Sequence, residues 1–393
     1  MHEKYIFCPR CSTRYKTTDI IFRCEKCSGA LEVIFDYSKL KKAVKLEKLQ
    51  KRPFNHARYL EFFPVKNLVS LQEGGTPLIR SKNLEREFGL KFDLYFKYEA
   101  VNPTGSFKDR GSSVEIARAI EQKKKNVICA STGNMGASLA AYSSRANLNC
   151  NVIVPEDAVH VKTEQILAYG AGVYQIKGSY SDAAELVDYA FRSHDAYLTG
   201  DYLHRREGTK SIGFELAEQT KSDYVFCPVG NGTLISAVWK GFAEFKELGF
   251  IKKLPRMVAI QAEKCNPLTK AYRTGKEIKP MEGHTMAVAM ECGDPLDGEK
   301  ALKSVKDSRG YADHVSDNDI IRARELLARR EGLFAEPAGA ASLAGILKGK
   351  EKIARGSVVV CLVTGHGLKT PRTSTYGSMK QLGKTHKAVD SLF

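Results

Sequence analysis

From residue 112 onward the chain alternates short apolar runs with longer helix-like segments. Apolar runs stand at 126–130, 151–154 and 173–176, and helix-like segments at 114–122, 137–145, 161–169 and 181–192. Short runs of this kind read as strands, and their alternation with helices predicts a parallel α/β sheet. The second half continues the theme. It predicts helix 210–218, strand 224–229, helix 235–245, strand 257–261, helices 317–331 and 338–347, and a β run at 357–363. Ahead of this lie a Lys-rich, partly helical connector at 37–70 and a β run at 94–99.

A chain of 393 residues can bury a large core and accommodates two domains with a small appendage. The expected division is 1–36 as the appendage, 37–111 as an arm and the first part of a large domain, and 112–204 as a small α/β domain. The rest of the large domain follows at 205–375, with a flexible tail at 376–393. No apolar run approaches 18 residues and Met1-His-Glu-Lys-Tyr5 lacks a signal-like core, so a cytoplasmic protein without membrane contact is expected. The net charge of +16 favours anionic partners such as phosphates. Dense basic runs occur only at 41–51 and 123–125, with no aromatic-interleaved basic motif, which argues against nucleic acid.

The appendage contains Cys8-Pro-Arg-Cys11 and Cys24-Glu-Lys-Cys27, two CxxC pairs separated by twelve residues. Short β-prone runs surround them. Four thiolates at this spacing suit a tetrahedral structural zinc ribbon, closed to solvent ligands. Disulfides, or a ribbon that has lost its metal, are the competing readings. Cys129, Cys227 and Cys361 fall in apolar runs and are expected in the core.

Candidate chemistry centres on Asn102-Pro-Thr-Gly-Ser-Phe-Lys108-Asp-Arg-Gly111. Asn-Pro and Thr-Gly read as a loop, and Phe107 onward as the start of a helix. A cation in a first helical turn opposes the helix dipole. A lysine there suits another task, an amine that forms a Schiff base with a carbonyl cofactor. Two more loops follow strands and open helices: Ser131-Thr-Gly-Asn-Met-Gly136 and Gly230-Asn-Gly-Thr-Leu234. Their free N–H groups suit anions. Thr364 ends the run 357–363, where open α/β sheets place ligand groups, and His366 reads equally as an acid/base or a turn residue.

The lysine motif resembles that of pyridoxal-phosphate enzymes of the tryptophan synthase β fold type, and within them the threonine synthases. Glu73-Gly-Gly-Thr-Pro-Leu78 and Gly365-His-Gly-Leu-Lys369 extend the resemblance from about Leu71 to Pro371. The resemblance implies a two-domain fold-type-II enzyme with parallel twisted sheets, helices on both faces, and a small N-terminal zinc ribbon. Lys108 would carry the pyridoxal 5′-phosphate and shuttle protons. Phe107, Asn134, Gly230, Asn231, Gly232, Thr233, Leu234 and Thr364 would hold the cofactor, with Asn134 at its phenolic oxygen, the Gly loop at its phosphate and Thr364 at its ring nitrogen. Lys97, Ser131, Thr132, Met135 and Arg205 would meet the substrate, a small phosphorylated amino acid. A homodimer is expected on the same ground.

Met135, Leu234 and Gly200 stand where the bacterial-type pattern has small polar residues, and Thr370 replaces an Asp. Three lost donors at about 1 kcal/mol each would weaken phosphate binding roughly a hundredfold unless Arg206 or Lys210 compensates. The expected activity is conversion of O-phospho-L-homoserine and water to L-threonine and phosphate. The alternatives are β-replacement on O-phosphoserine, giving a cysteine- or cysteate-like product, or a serine/threonine dehydratase. A binding module on an inactive scaffold, built around the ribbon, is a third reading, which the intact Lys108 opposes.

Overall fold

The computed structural model describes residues 2–131, 133–155, 160–178 and 180–370. Thr132 and the tail from 371 lie outside the described residues. Three sheets organise the chain. The N-terminal one is antiparallel, in the order Arg14–Tyr15, Glu3–Phe7, Glu32–Phe35.

The largest sheet runs Tyr311–Val315, Arg256–Ala262, Tyr224–Pro228, Val358–Val363, Asp93–Tyr98, Leu78–Arg80. Its neighbours are parallel except the last pair, which is antiparallel. The expected parallel twisted α/β sheets are present, with one antiparallel strand added. Leu78–Arg80 sits at an edge, where a short antiparallel strand is a common addition to a parallel sheet. The smaller sheet is wholly parallel, in the order Gly172–Ile176, Asn149–Pro155, Asn126–Ala130, Ala196–Leu198.

Strands of the large sheet send alternate side chains to two cores. Leu94, Phe96, Phe226, Val258 and Ile260 pack under the Ala-rich helix Pro337–Lys348. Val225, Cys227, Met257, Val360 and Leu362 pack under the helix Thr233–Glu247. Each fully buried Val, Ile or Leu contributes about 1.5–3 kcal/mol. Gly345 lets the Ala-rich helix lie close, since a Cβ there would meet Ile260 at 2.4 Å. Cys129, Cys227 and Cys361 are fully buried, as their apolar runs imply.

Chain order turns back at one place in each open sheet. In the large sheet, Val358–Val363 returns to lie between Tyr224–Pro228 and Asp93–Tyr98. In the small sheet, Ala196–Leu198 returns to the free side of Asn126–Ala130. Ligands of open α/β sheets bind beyond the strand carboxyl ends at such switch points. Here those ends deliver Gly230 and Thr364 from one sheet, and Ser131 and Asp201 from the other.

Beneath the lysine helix (Lys108–Glu121) runs a charged layer. Arg110 pairs with Glu99 at 2.7 Å and Glu215 at 2.6 Å, and Lys97 pairs with Glu215 at 2.6 Å, all four with no exposed side-chain surface. Glu215 also accepts from the N–H of Gly75 at 2.8 Å, which ties the Glu-Gly-Gly-Thr turn to this layer.

Candidate active site

Lys108 is the first residue of its helix, and the loop before it is held from three sides. The Phe107 N–H donates to the Thr364 carbonyl at 3.0 Å, and the His366 N–H donates to the Gly105 carbonyl at 2.9 Å. The Thr104 N–H donates to buried Asp109 at 2.7 Å. Gly105 has φ +82°, a conformation that favours glycine. Burial pushes the Asp109 carboxyl up to about 6, against the hydrogen bonds it accepts from Ser138 and Thr104.

The Lys108 amine lies 3.0 Å from a carboxylate oxygen of Asp201, a residue the sequence pattern does not single out. Asn231 donates from its amide nitrogen to the other oxygen of Asp201 at 2.9 Å. The cation in the first turn is thus offset by an acid from the opposite sheet. The one available signal was position: Asp201 directly follows Gly200, at the end of a three-residue strand too short to stand out.

Several residues expected at the substrate are placed elsewhere. Lys97 is fully buried, donating to Glu215, Gln219 and the Thr76 carbonyl, so its charge belongs to the layer under the helix. Arg205 is also fully buried. It pairs with Glu115 and donates to Ser112 at 3.2 Å, the Gly200 carbonyl at 3.1 Å and the Lys108 carbonyl at 3.1 Å. It therefore props the lysine from behind. Met135 packs in the core of the small sheet, and Leu234 in a core of the large one. Both side chains are buried among apolar residues, and Phe107 packs against the cluster that holds Leu234. Gly200 lies under the Tyr202 ring, which a Cβ would approach to 2.8 Å. Arg206 and Lys210 pair with Glu32 and with Glu207 and Glu244, so they do not compensate either.

Ser131 remains in place at its strand end, where its hydroxyl accepts from the N–H groups of Gly133 at 3.3 Å and Gly136 at 3.0 Å. These bonds tie the strand end to the first turn of the helix Asn134–Arg145. His366 is a turn residue: its Nδ1 accepts from the Leu368 N–H at 3.2 Å, and its ring meets Phe334 edge-on.

The four N-terminal cysteines form one cluster. Their sulfurs lie within 4.8 Å of one another, with Cys8–Cys27 at 3.5 Å and Cys11–Cys24 at 3.4 Å. All ten cysteines are free thiols, so the disulfide alternative has no support. Each CxxC is followed by a serine in the left-handed region, Ser12 at φ 62° and Ser28 at φ 56°. Each of these serines donates its N–H to the first cysteine's carbonyl, at 2.8 and 2.7 Å. Two equivalent knuckles thus aim four sulfurs at a common centre. Tetrahedral bonds of about 2.3 Å would set the sulfurs about 3.8 Å apart, close to the spacing found.

The model of the family "Pyridoxal-phosphate dependent enzyme" matches residues 69–365. A threonine synthase of Methanocaldococcus jannaschii is 47% identical over 376 residues, covering 93% of this chain and 92% of the relative. One of Methanosarcina acetivorans is 42% identical over 379 residues, covering 94% and 93%. The chain belongs to the threonine synthases. Solved structures share the fold at lower identity. Maize serine racemase has a TM-score of 0.65 at 24% identity, covering 74% of this chain and 88% of that one. The processed form of threonine deaminase isoform 2 from Solanum lycopersicum has a TM-score of 0.64 at 21% identity, covering 80% and 82%.

Threonine synthases of this family use pyridoxal phosphate, and the residues here fit that group. Among the described residues, Asn134 Oδ1, Thr233 Oγ1 and Ser106 Oγ are buried side-chain atoms without a hydrogen-bond partner. Buried polar atoms are ordinarily paired, so three orphans at the loops around Lys108 suit a polar guest. Asn134 is fixed by donating to Glu336 at 2.7 Å, which leaves its oxygen directed elsewhere. Gly232, at φ +89°, opens the helix Thr233–Glu247, whose first N–H groups have no intrahelical partners. Among the predicted cofactor residues, Leu234 offers its backbone alone. Thr233→Val is expected to leave the cofactor-free protein as stable as wild type or more so, while weakening cofactor binding about fivefold. Thermal melts and cofactor titration of the same samples check both halves.

Proposed function

We propose that this threonine synthase converts O-phospho-L-homoserine and water to L-threonine and phosphate. The observation that carries the reading is 42–47% identity to threonine synthases over more than nine-tenths of the chain. The placement of Lys108 between two switch-point loops supports it. An apolar residue after the Gly loop would favour a dehydratase, but that residue, Leu234, lies in the core.

Pyridoxal phosphate, when bound, supplies an electron sink that acidifies the hydrogens on the substrate's α and β carbons. Lys108 would carry the cofactor. Asn134 would meet its phenolic oxygen, Thr364 its ring nitrogen, and the segment Gly230–Thr233 its phosphate. Once displaced by the substrate amine, Lys108 is the base placed to accept a proton at Nζ and return it. The balance requires loss of a proton from Cα and from Cβ, cleavage of the Cγ–O bond with departure of phosphate, protonation of Cγ, and addition of hydroxide at Cβ. Reprotonation of Cα completes threonine. With Lys97 and Arg205 both paired, the leaving phosphate would meet Lys108 and the N-terminal end of the helix Asn134–Arg145.

The test is phosphate release and threonine formation from phosphohomoserine and, separately, phosphoserine. Release from phosphohomoserine alone is expected. Release from phosphoserine alone would overturn the reading in favour of a β-replacement enzyme.

The same proposal assigns Cys8, Cys11, Cys24 and Cys27 to one structural zinc. Purified protein is expected to carry one zinc per chain by elemental analysis, and Cys11→Ser to carry none and to melt at lower temperature. It also places the protein in the cytoplasm as a homodimer. The unbridged thiols suit a reducing compartment, and among the described residues no helix is long and apolar enough to cross a membrane.

A further inference from the structure

Asp201 is anchored as firmly as the lysine it faces. Its preceding residue is gripped at both backbone groups: the Gly200 N–H donates to Glu115 at 3.1 Å, and the Gly200 carbonyl accepts from Arg205 at 3.1 Å. Its side chain is oriented by Asn231, whose own orientation follows from hydrogen-bond logic. The Leu296 N–H can only donate, and it meets the Asn231 side-chain oxygen at 2.7 Å. The Asn231 NH₂ therefore faces Asp201, which must accept. The other Asp201 oxygen faces the Lys108 amine, also a donor. A carboxyl flanked by donors on both oxygens is held as the anion. Burial works to raise the Asp201 carboxyl, and the Lys108 and Arg205 cations outweigh it and keep it below the ordinary aspartate range.

The lysine has no other side-chain acceptor among the described hydrogen bonds, and 17% of its side chain is exposed, against 12% for Asp201. The pair is thus largely screened from water, where a charge-assisted hydrogen bond keeps much of its strength. Once the substrate amine displaces it in turnover, the released lysine amine has this carboxylate within reach.

We propose that Asp201 is a positioning residue for Lys108, holding the released amine in place and stabilising its protonated form through each proton transfer. This rests on the reading of Lys108 as the proton carrier. The proton moves from a substrate carbon to Lys108 Nζ and back to carbon, and Asp201 keeps its charge and takes no proton. Asn231, through the same contact, links the Gly loop to the lysine and not only to the cofactor. Glu115, Arg205 and Cys292 also face Asp201 electrostatically. Burial pushes Glu115 up to about 7 against the pull of Arg205, so it titrates in the working range, and a pH–activity profile alone would mix its effect with that of Asp201. The decisive readout is therefore on the amine itself.

The experiment labels cofactor-free protein with acetic anhydride at pH 8 and follows Lys108 acetylation by mass spectrometry. Asp201→Asn is expected to acetylate about tenfold faster than wild type, because the charge-assisted bond that ties up the amine is gone. Asp201→Glu is expected near the wild-type rate, and Asn231→Ala in between. In the loaded enzyme, Asp201→Asn is expected to slow deuterium exchange at Cα of L-threonine and kcat together by about tenfold or more, with KM for phosphohomoserine within about threefold. Equal acetylation of Asp201→Asn and wild type, or exchange at the wild-type rate, overturns the proposal. Should Asp201→Asn fail to fold by its melt, wild-type acetylation rates in Asn231→Ala overturn it equally. Failure of the functional reading looks different: wild type then forms no threonine, while the acetylation difference persists.

Discussion

Lys108→Ala is expected to leave a folded protein that releases no measurable phosphate from phosphohomoserine, with kcat lower by at least about 10⁴. The size follows from the double use of one amine. It holds the cofactor, and it is the base placed at the head of the helix between the Ser131 and Gly230 loops. Three buried lysines of the described residues are committed elsewhere: Lys97 and Lys210 are locked in buried ion pairs, and the Lys369 amine donates to the Thr104 carbonyl and Gln165. The same variant should lose the absorbance band of lysine-bound cofactor while keeping a melting temperature close to that of the wild type. A large drop in melting temperature would instead mean that Lys108 and Asp201 matter chiefly to the fold.

The largest expected stability effect lies one layer below. Glu215→Ala leaves Lys97 without its carboxylate and Arg110 with only one of two, in a region with no exposed side-chain surface. Breaking a buried pair from one side costs about 3–5 kcal/mol. The loss should show as a lower urea midpoint with an unchanged slope, and Glu215→Gln, which keeps hydrogen bonds, should lose less. Burial works to raise the Glu215 carboxyl, but Arg110 and Lys97 hold it well below the ordinary glutamate range. A carboxylate lowered in the fold contributes stability that is present above its unfolded value, near about 4.3, and is lost as pH falls toward its folded value. Wild type should therefore lose stability on acidification below about pH 5, and Glu215→Ala should lose less over the same range.

Much of this architecture was legible because it rests on local chemistry. The lysine helix starts at Lys108 because Asn-Pro-Thr-Gly cannot continue a helix and Gly105 supplies the left-handed turn. The cysteine knuckles follow from spacing alone. Strands such as Asn126–Ala130 and Val358–Val363 stand out as apolar runs. Four strands did not, for plain reasons: Arg14–Tyr15, Leu78–Arg80 and Ala196–Leu198 are two or three residues long, and Tyr311–Val315 carries Asp and His in its middle. What stayed hidden depends on long-range pairing. Lys97 reads as a free cation until Glu215, 118 residues later, is brought against it. Met135 and Leu234 look like pocket residues because they follow pocket residues, yet each helical step turns the side chain by about 100°. One position therefore separates a group facing a ligand from one facing the core. Asp201 was hidden for the same reason, since only the return of its strand beside Asn126–Ala130 carries it to the lysine.

The cysteine ribbon docks on groups made long after it. Glu32 meets Arg206 across 174 residues, the Val33 carbonyl meets Lys240 across 207, and the Leu31 carbonyl meets Lys300 across 269. At about 5–20 residues per second, roughly ten to thirty-five seconds separate the synthesis of the ribbon from that of Arg206. Through that interval Ile6, Ile21, Leu31, Val33 and Phe35 have one another, Tyr15, Tyr37 and the four sulfurs for cover. With the ion proposed above, this small unit can close at once on the nascent chain and wait as a finished part. Without it, an apolar face and four reactive thiols would stand open beside every newly made segment.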